Sequence, residues 1–479
     1  MTRGHRCAHR FRLRSLAAVA IAVTALAGVA PIGAAAPSPR SFVIAAAGDI
    51  IPHDMLVAHA ALPGGGWDFT SMEAAIRPWI ADADLAICHL EGTLSETDSG
   101  LSGYPRFVGP RAMAAAIAAA GWDGCSTASN HSMDGDWDGL VETLDVLDEF
   151  GLGHAGTART TDEQRPTFYD VGGVTVAHIS YSYGTNGLAV PESRPWAVNV
   201  IDTAAILGDA AWARSHGAQF VLVSLHWGEQ YQVAPTAAQE QLAAALLAAP
   251  DIDIIIGHHA HVVQPIDVIN GKYVVYGMGN HVSNQFTRWG PPYFATDDGL
   301  LVRIHVSERA NGTFGVDRLE LTPTWVDYPS YQVHSVADAL LTGAGPATVL
   351  LESMDRTLAR ALSLHPPGVT ITASPWPDAW CGARRATIVG TPESDAIVGT
   401  DGSDVISAGA GDDFVAGGAG DDVICGGDGA DVIDGGSGRD RVFGGGGDDL
   451  LSGVRFSMLV GGEGRDSCSG TALLRDCDR

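Results

Sequence analysis

Residues 251–261 read Asp-Ile-Asp-Ile-Ile-Ile-Gly-His-His-Ala-His. The run 251–256 is short, β-branched and apolar at its centre, which predicts a strand buried on both faces. Gly257 ends it, and His258, His259 and His261 follow at once. Four other segments have the same form. Strand candidates at 41–48, 84–89, 123–129 and 219–225 run into Gly48-Asp49-Ile50-Ile51-Pro52-His53, His89-Leu90-Glu91, Ser129-Asn130-His131 and His226-Trp227-Gly228-Glu229. Helical patterns separate them, at 111–120 (closed by Gly121), 139–150 and 236–249. Such alternation predicts an α/β domain with a mostly parallel sheet covered by helices. Sites in such sheets form beyond the carboxyl ends of the strands, where all five polar segments fall.

The flanking sequence fills in the rest of this domain. Residues 168–181 and 262–276 read as hairpins, the second turning at Asn270-Gly271. Residues 309–365 add strands and a helix over 347–362, with Pro346 suited to its first turn. A Pro-rich connector, 366–380, then marks a boundary.

From Gly390 the composition changes. Nine-residue units such as AGAGDDFVA, GGAGDDVIC and GGDGADVID run to Ser452, and GGEGRDSCS follows an irregular insert at 453–460. The sixth position is always aspartate: Asp395, Asp404, Asp413, Asp422, Asp431, Asp440, Asp449 and Asp466. Glycines permit the positive φ angles of tight turns, and carboxylate and carbonyl oxygens suit a hard cation such as Ca2+. The apolar eighth position turns inward to form a thin core. A Gly/Asp-rich disordered tail would lack that strict register. The pattern resembles the RTX (haemolysin-type) calcium-binding repeats, which implies a parallel β-roll.

Composition narrows the partners. Residues 1–14 carry five arginines and no acid, and an apolar run follows before Ala34-Ala35-Ala36. This is the form of a secretory signal peptide cleaved after Ala36, too short in its apolar part to span a bilayer. No later segment is long and apolar enough to span one. Without 1–36 the chain has 23 basic against 56 acidic residues, a net charge of −33. A surface this acidic repels phosphate backbones and argues against nucleic acid. Cys381, Cys425, Cys468 and Cys477 bracket the repeats of an exported chain, where disulfides persist. Of the three possible pairings, Cys381–Cys425 with Cys468–Cys477 is preferred. Cys88 and Cys125, in apolar strands, read as packing thiols.

The five polar segments supply what a dinuclear centre needs: carboxylates to hold and bridge cations, neutral imidazoles and an amide oxygen. Together with 103–107 (Gly-Tyr-Pro-Arg-Phe), 183–187 (Tyr-Gly-Thr-Asn-Gly) and 276–280 (Tyr-Gly-Met-Gly-Asn, running on to Gln285), their order resembles the CapA branch of the calcineurin-like metallophosphatase superfamily, linked to poly-γ-glutamate capsule synthesis. The resemblance covers roughly residues 42–306. It implies Asp49 as the first metal carboxylate, and Glu91 where a bridging aspartate is expected. His53 takes the place of the superfamily's D-x-H histidine, displaced by two positions. Asn130 would ligate through its side-chain oxygen, and His226, His259 and His261 would complete the two shells. His131 would face the substrate as general acid or oxyanion stabiliser, and Glu229 and Gln285 would orient ligands or touch substrate. The metal would be a divalent transition ion, Mn2+, Fe2+ or Zn2+. Two departures stand out: the family's usual Asn before Leu-Glu is His89, and the first Asn of Asn-Asn-His is Ser129.

The expected organisation is therefore a signal peptide at 1–36, a CapA-like metallophosphatase-type domain at 37–365, a linker at 366–389, the calcium-binding β-roll at 390–469 and a tail at 470–479. The expected function is that of a secreted or cell-surface, metal-dependent hydrolase-like protein acting on an anionic capsule or cell-envelope polymer. The competing expectation is a non-catalytic protein that binds or anchors that polymer.

Overall fold

The computed structural model describes residues 40–285, 295–371, 380–381, 384–390, 394–454, 457–470, 473–475 and 477. The expected signal peptide, 1–36, lies outside the described residues.

Two mixed sheets carry the N-terminal part. In the first, Ser41–Ile50 is parallel to Leu85–Leu90, which is parallel to Gly124–Ser126, and Gly153–Ala155 closes that edge. On its other side Ser41–Ile50 is antiparallel to Asp298–Glu308, which continues into Phe314–Val326 and Val333–Ser335. In the second sheet Val174–Ser182, Phe220–His226, Ile254–His258 and Lys272–Val275 form a parallel centre. Its edges are the antiparallel strands Thr167–Val171 and Ile266–Ile269, so both hairpins read from the sequence are present.

The sheets pack face to face. Ile44, Ile87, Val302 and Ile304 of the first meet Val176, Leu222, Ile254 and Ile256 of the second in one buried cluster. Helices cover the outer faces: Ala112–Ala120 and Asp136–Glu149 the first sheet, Thr203–Ser215 and Ala237–Leu247 the second. Burial on both faces explains why the central strands read as continuous apolar runs rather than alternating ones. Local chemistry sets the helix ends. Thr236 and Gln239 form a reciprocal cap at the start of Ala237–Leu247, and Gly121, at φ 105°, ends Ala112–Ala120 in the left-handed region. The helix Ala347–Ala361 packs Leu350, Met354 and Leu358 against Trp325 and Val336. Val369–Ile371 pairs in parallel with Leu319–Leu321 and so adds a strand beyond 365.

Cys88 and Cys125, read from sequence as packing thiols, are register partners on neighbouring parallel strands. They are joined as a disulfide, with Cα atoms 4.4 Å apart. Strand pairing brings them together, and nothing local in the sequence signals it. Cys381–Cys425 and Cys468–Cys477 are joined as preferred.

The repeats form a parallel β-roll of two sheets. Val405–Ala410, Val423–Asp428, Arg441–Gly446 and Met458–Glu463 stack in one, and Ala396–Val398, Phe414–Ala416, Val432–Asp434, Leu450–Gly453 and Ser467–Gly470 in the other. Eighth-position side chains from Ile397 to Leu451 make the thin core between them. The turns need glycine. Gly427 has φ 116°, and a Cβ there would lie 1.8 Å from the Gly409 carbonyl oxygen.

Candidate metal centre and calcium ladder

The carboxyl ends of the two sheets meet at one buried polar cluster. Asp49 is the register partner of His89 in the first sheet, and His226 that of His258 in the second. Past the strand end, His259 and His261 adopt left-handed backbone at φ 88° and 55°, a strain of about 1–3 kcal/mol each that the surrounding structure must hold. Gly257 allows this chain to pass close to its neighbour, since a Cβ there would lie 2.0 Å from the Tyr276 carbonyl oxygen.

Two donor sets share Glu91. In one, His226 Nε2 lies 2.9 Å from Asn130 Oδ1 and 3.9 Å from Glu91 Oε1, with His89 in the same group; His259, which falls with Glu91 and His261, presents a buried Nδ1 without a partner. In the other, His261 Nδ1 lies 3.2 Å from Asp49 Oδ2 and 3.0 Å from Asn280 Oδ1, which turns its Nε2 toward Glu91 Oε1 at 3.9 Å. Glu91 Oε2 is buried without a hydrogen-bond partner, and Asp49 Oδ1, also buried, has His258 Nδ1 beside it at 3.3 Å. Buried oxygens of this kind fit divalent cations, because a carboxylate stripped of water otherwise needs a donor.

Electrostatics separates the groups of the cluster. Burial pushes the Glu91 carboxyl well above its ordinary range, with Asp49 adding to the effect. Burial also opposes the charge on Asp49, but His258 and His261 outweigh it and hold that carboxyl well below the usual value. Burial lowers His259 to about 3. Burial, together with neighbouring histidines, holds His89 and His226 well below the usual imidazole value. His261 is the exception: burial opposes its charge, but Glu91, Asp49 and Asn280 push it up to about 9. Without a cation, His89, His226 and His259 are thus neutral and Asp49 is ionised, as metal ligation requires, whereas Glu91 and His261 each hold a proton that a bound cation would displace.

A cavity of about 650 Å³ opens onto this cluster, lined among others by His53, Glu91, His131, His261, Gln285, Tyr104, Phe107 and Tyr231. His131 Nδ1 lies 2.6 Å from Asp134 Oδ2, so its Nε2 is the nitrogen presented to the cavity, 3.9 Å from Glu91 Oε1 and 3.3 Å from Asn186 Nδ2. His53 stands in the cavity wall, its Nδ1 accepting from the Asn284 N–H, and it belongs to none of the ligand clusters among the described residues. Gln285 lines the cavity and accepts from Asn280, whereas Glu229 is exposed and does not line it. Sequence reasoning missed Asp134, His258, Asn280 and the role of His89. His89 Nε2 lies 2.9 Å from His226 Nδ1, and His258 Nδ1 lies 3.3 Å from Asp49 Oδ1. For Asp134 the spacing His-x-x-Asp was there to be read; the others depend on strand pairing.

The eight repeat aspartates are not equivalent. The backbone N–H of Asp404 donates to Oδ1 of Asp422, that of Asp413 to Asp431, and that of Asp431 to Asp449, each eighteen residues on. Oδ2 of Asp413, Asp422, Asp431 and Asp449 is left buried and without a partner. Asp404 Oδ2 instead accepts from the Thr400 N–H and hydroxyl, and Asp440 Oδ2 accepts from the Ser457 hydroxyl. The unpartnered oxygens beside glycine carbonyls fit Ca2+.

These features define a two-sheet α/β sandwich with a histidine- and carboxylate-rich centre at its strand ends, followed by an RTX-type β-roll. The chain belongs to the bacterial capsule synthesis protein PGA_cap family, which matches residues 43–285; residues 389–424 and 426–454 match the RTX calcium-binding nonapeptide repeat. It is 32% identical over 200 residues to the PGA biosynthesis protein CapA of Bacillus subtilis (strain 168), covering 41% of this chain and 50% of that protein. It is 31% identical over 211 residues to the capsule biosynthesis protein CapA of Bacillus anthracis, covering 43% and 49%. The chain thus spans about half the length of the curated relatives it matches. Among solved structures, it is similar to the calcineurin-like phosphoesterase YfkN from Bacillus subtilis, with a TM-score of 0.38 and 14% identity over 68% of this chain and 99% of that one. It is also similar to a 5'-nucleotidase precursor from Thermus thermophilus, with a TM-score of 0.38 and 13% identity over 65% and 60%.

Proposed function

We propose that this is an exported, metal-dependent hydrolase-like protein of capsule, poly-γ-glutamate or cell-envelope polymer biosynthesis. Its metallophosphatase-type domain spans 37–365 with the added strand Val369–Ile371, and a calcium-binding roll at 390–469, extended by the paired strands Ile388–Val389 and Leu473–Arg475, follows a linker. One observation carries the reading: Glu91, buried and with Oε2 unpartnered, is shared by one ligand group with His89 and His226, beside Asn130, and by another with His259 and His261, beside Asp49. Divalent transition cations bound there would acidify water and polarise the bond under attack.

The chain's own groups divide the remaining work. Asp134 holds the His131 ring with Nδ1 turned inward, leaving Nε2 to pass a proton to the leaving group. His53 and Gln285 line the approach, and Tyr104, Phe107 and Tyr231 give the cavity an aromatic wall. An anionic polymer is the substrate this reading assigns, with the cations supplying its positive counter-charge. Metal analysis of the purified chain, with turnover measured on poly-γ-glutamate and on small phosphoesters, tests it. Polymer binding that persists without turnover, and without loss on substituting His131 or Glu91, would favour the non-catalytic binding protein.

A further inference from the structure

From the candidate centre a chain of hydrogen bonds runs through His89, which itself stands in two of the candidate ligand groups, and neither the family match nor the ligand assignments explain it. Asn130 Oδ1 lies 2.9 Å from His226 Nε2, His226 Nδ1 lies 2.9 Å from His89 Nε2, and His89 Nδ1 lies 2.7 Å from Ser126 Oγ. Ser126 Oγ also lies 3.4 Å from the Cys88 carbonyl oxygen. All four side chains are buried, none more than 1% exposed. Asn130 Nδ2 donates to Asn186 Oδ1, which fixes the amide so that Oδ1 faces His226.

The donor and acceptor inventory allows this chain two arrangements. Without a cation, Asn130 Oδ1 can only accept, so His226 carries its proton on Nε2 and accepts at Nδ1 from His89 Nε2–H. His89 then accepts at Nδ1 from the Ser126 hydroxyl. A cation on His226 needs the Nε2 lone pair. The proton must then sit on Nδ1 and be donated to His89 Nε2; His89 donates from Nδ1 to Ser126 Oγ, and the Ser126 hydroxyl turns to the Cys88 carbonyl. Each imidazole keeps one proton, moved to its other nitrogen by exchange with solvent, and no charge is created in the core. An acceptor-only partner in place of His89 would bond the loaded form but repel the empty one.

We infer that His89 and Ser126 are positioning residues forming a reversible relay that sets the tautomer of the metal-binding His226. This rests on the metal reading of the site. A partner of this kind is worth about 10–100-fold in metal affinity. His89→Leu fills the space with no polar atom, whereas His89→Gln keeps a carboxamide that can turn to donate or accept. Zn2+ affinity of the full chain in calcium buffer, measured by competition with a chromophoric chelator, should fall about 10–100-fold in His89→Leu and recover much of that loss in His89→Gln. Ser126→Ala should fall between the two and keeps the test open if His89→Leu fails to fold. Nitrogen NMR of labelled histidine should show the His226 proton on Nε2 in chelator and on Nδ1 with Zn2+. Wild-type affinity in both His89→Leu and Ser126→Ala, or an unchanged tautomer, overturns the relay while leaving the metal site standing. A wild-type chain that takes up no Zn2+ overturns the site reading itself, and the relay with it.

Discussion

Calcium-free repeats should be more stable at pH 5 than at pH 7.5. Asp431 shows why. Its Oδ1 accepts from the Asp413 N–H at 2.9 Å, but its Oδ2 is buried without a partner. Burial first, then the charges of Asp449, Asp413 and Asp412, push its carboxyl from an ordinary 3.8 up to about 6. Asp413, Asp422 and Asp449 shift the same way. A carboxyl raised on folding keeps its proton in the folded state after the unfolded chain has lost it. Stability therefore falls as pH rises from about 4 to about 6 and stays low above that. At about 1.4 kcal/mol per unit, the Asp431 shift corresponds to at most about 3 kcal/mol, and solvent screening reduces this to nearer 1 kcal/mol. About half of that change lies between pH 5 and pH 7.5, so hydrogen exchange of the full chain in chelator, corrected for intrinsic rates, should show roughly 2- to 10-fold greater protection across 423–451 at pH 5 than at pH 7.5. Calcium should restore protection at pH 7.5. Asp431→Asn keeps the Oδ1 acceptor and removes the charge, so it should protect the chelated repeats at pH 7.5 and weaken calcium binding. Protection that is flat or rises with pH in chelator would refute the reasoning.

Three further outcomes are expected. Gly427→Ala places a Cβ against the Gly409 carbonyl at φ 116°, and should cost about 1–3 kcal/mol, read as a lower midpoint for the roll in thermal unfolding. Ser457→Asp replaces the hydroxyl that occupies Asp440 Oδ2 with a carboxylate, and should raise calcium stoichiometry by one in equilibrium dialysis; an unchanged count would contradict the ladder. Non-reducing peptide maps should show Cys88 linked to Cys125, as well as Cys381 to Cys425 and Cys468 to Cys477, with free thiols at 88 and 125 as the contrary result.

The local signals in the sequence proved the most legible. The 251–256 run is a buried strand whose end delivers His259 and His261, and Asp49, Glu91, Asn130 and His226 reach the same cluster from other strand ends. The nonapeptide register is visible because one side chain in nine must face a thin core. Pairing between distant strands is not legible in this way. Alternating strands and helices look alike whether they build one sheet or two facing sheets, so the sandwich could not be read. The Cys88–Cys125 contact and the His89–His226 bond depend on register between strands far apart in sequence. The displaced His53 stands in the cavity wall, because Pro52 and the turn before the helix Asp54–Ala60 carry it past the strand end. Glu229 follows Gly228, at φ 83°, and points to the surface.

The central claim is that Asp49, Glu91, Asn130, His226, His259 and His261 hold divalent transition metal while His131 moves protons. Metal content and turnover of the full chain, His259→Ala and His131→Ala, measured side by side, test it most directly. The wild type should carry transition metal in addition to calcium, and His259→Ala should lose much of it. His131→Ala should keep its metal and lose about 10²–10⁴-fold in turnover. Full metal and full activity in both variants would contradict the assignment, and loss of metal from His131→Ala would make that residue a ligand instead.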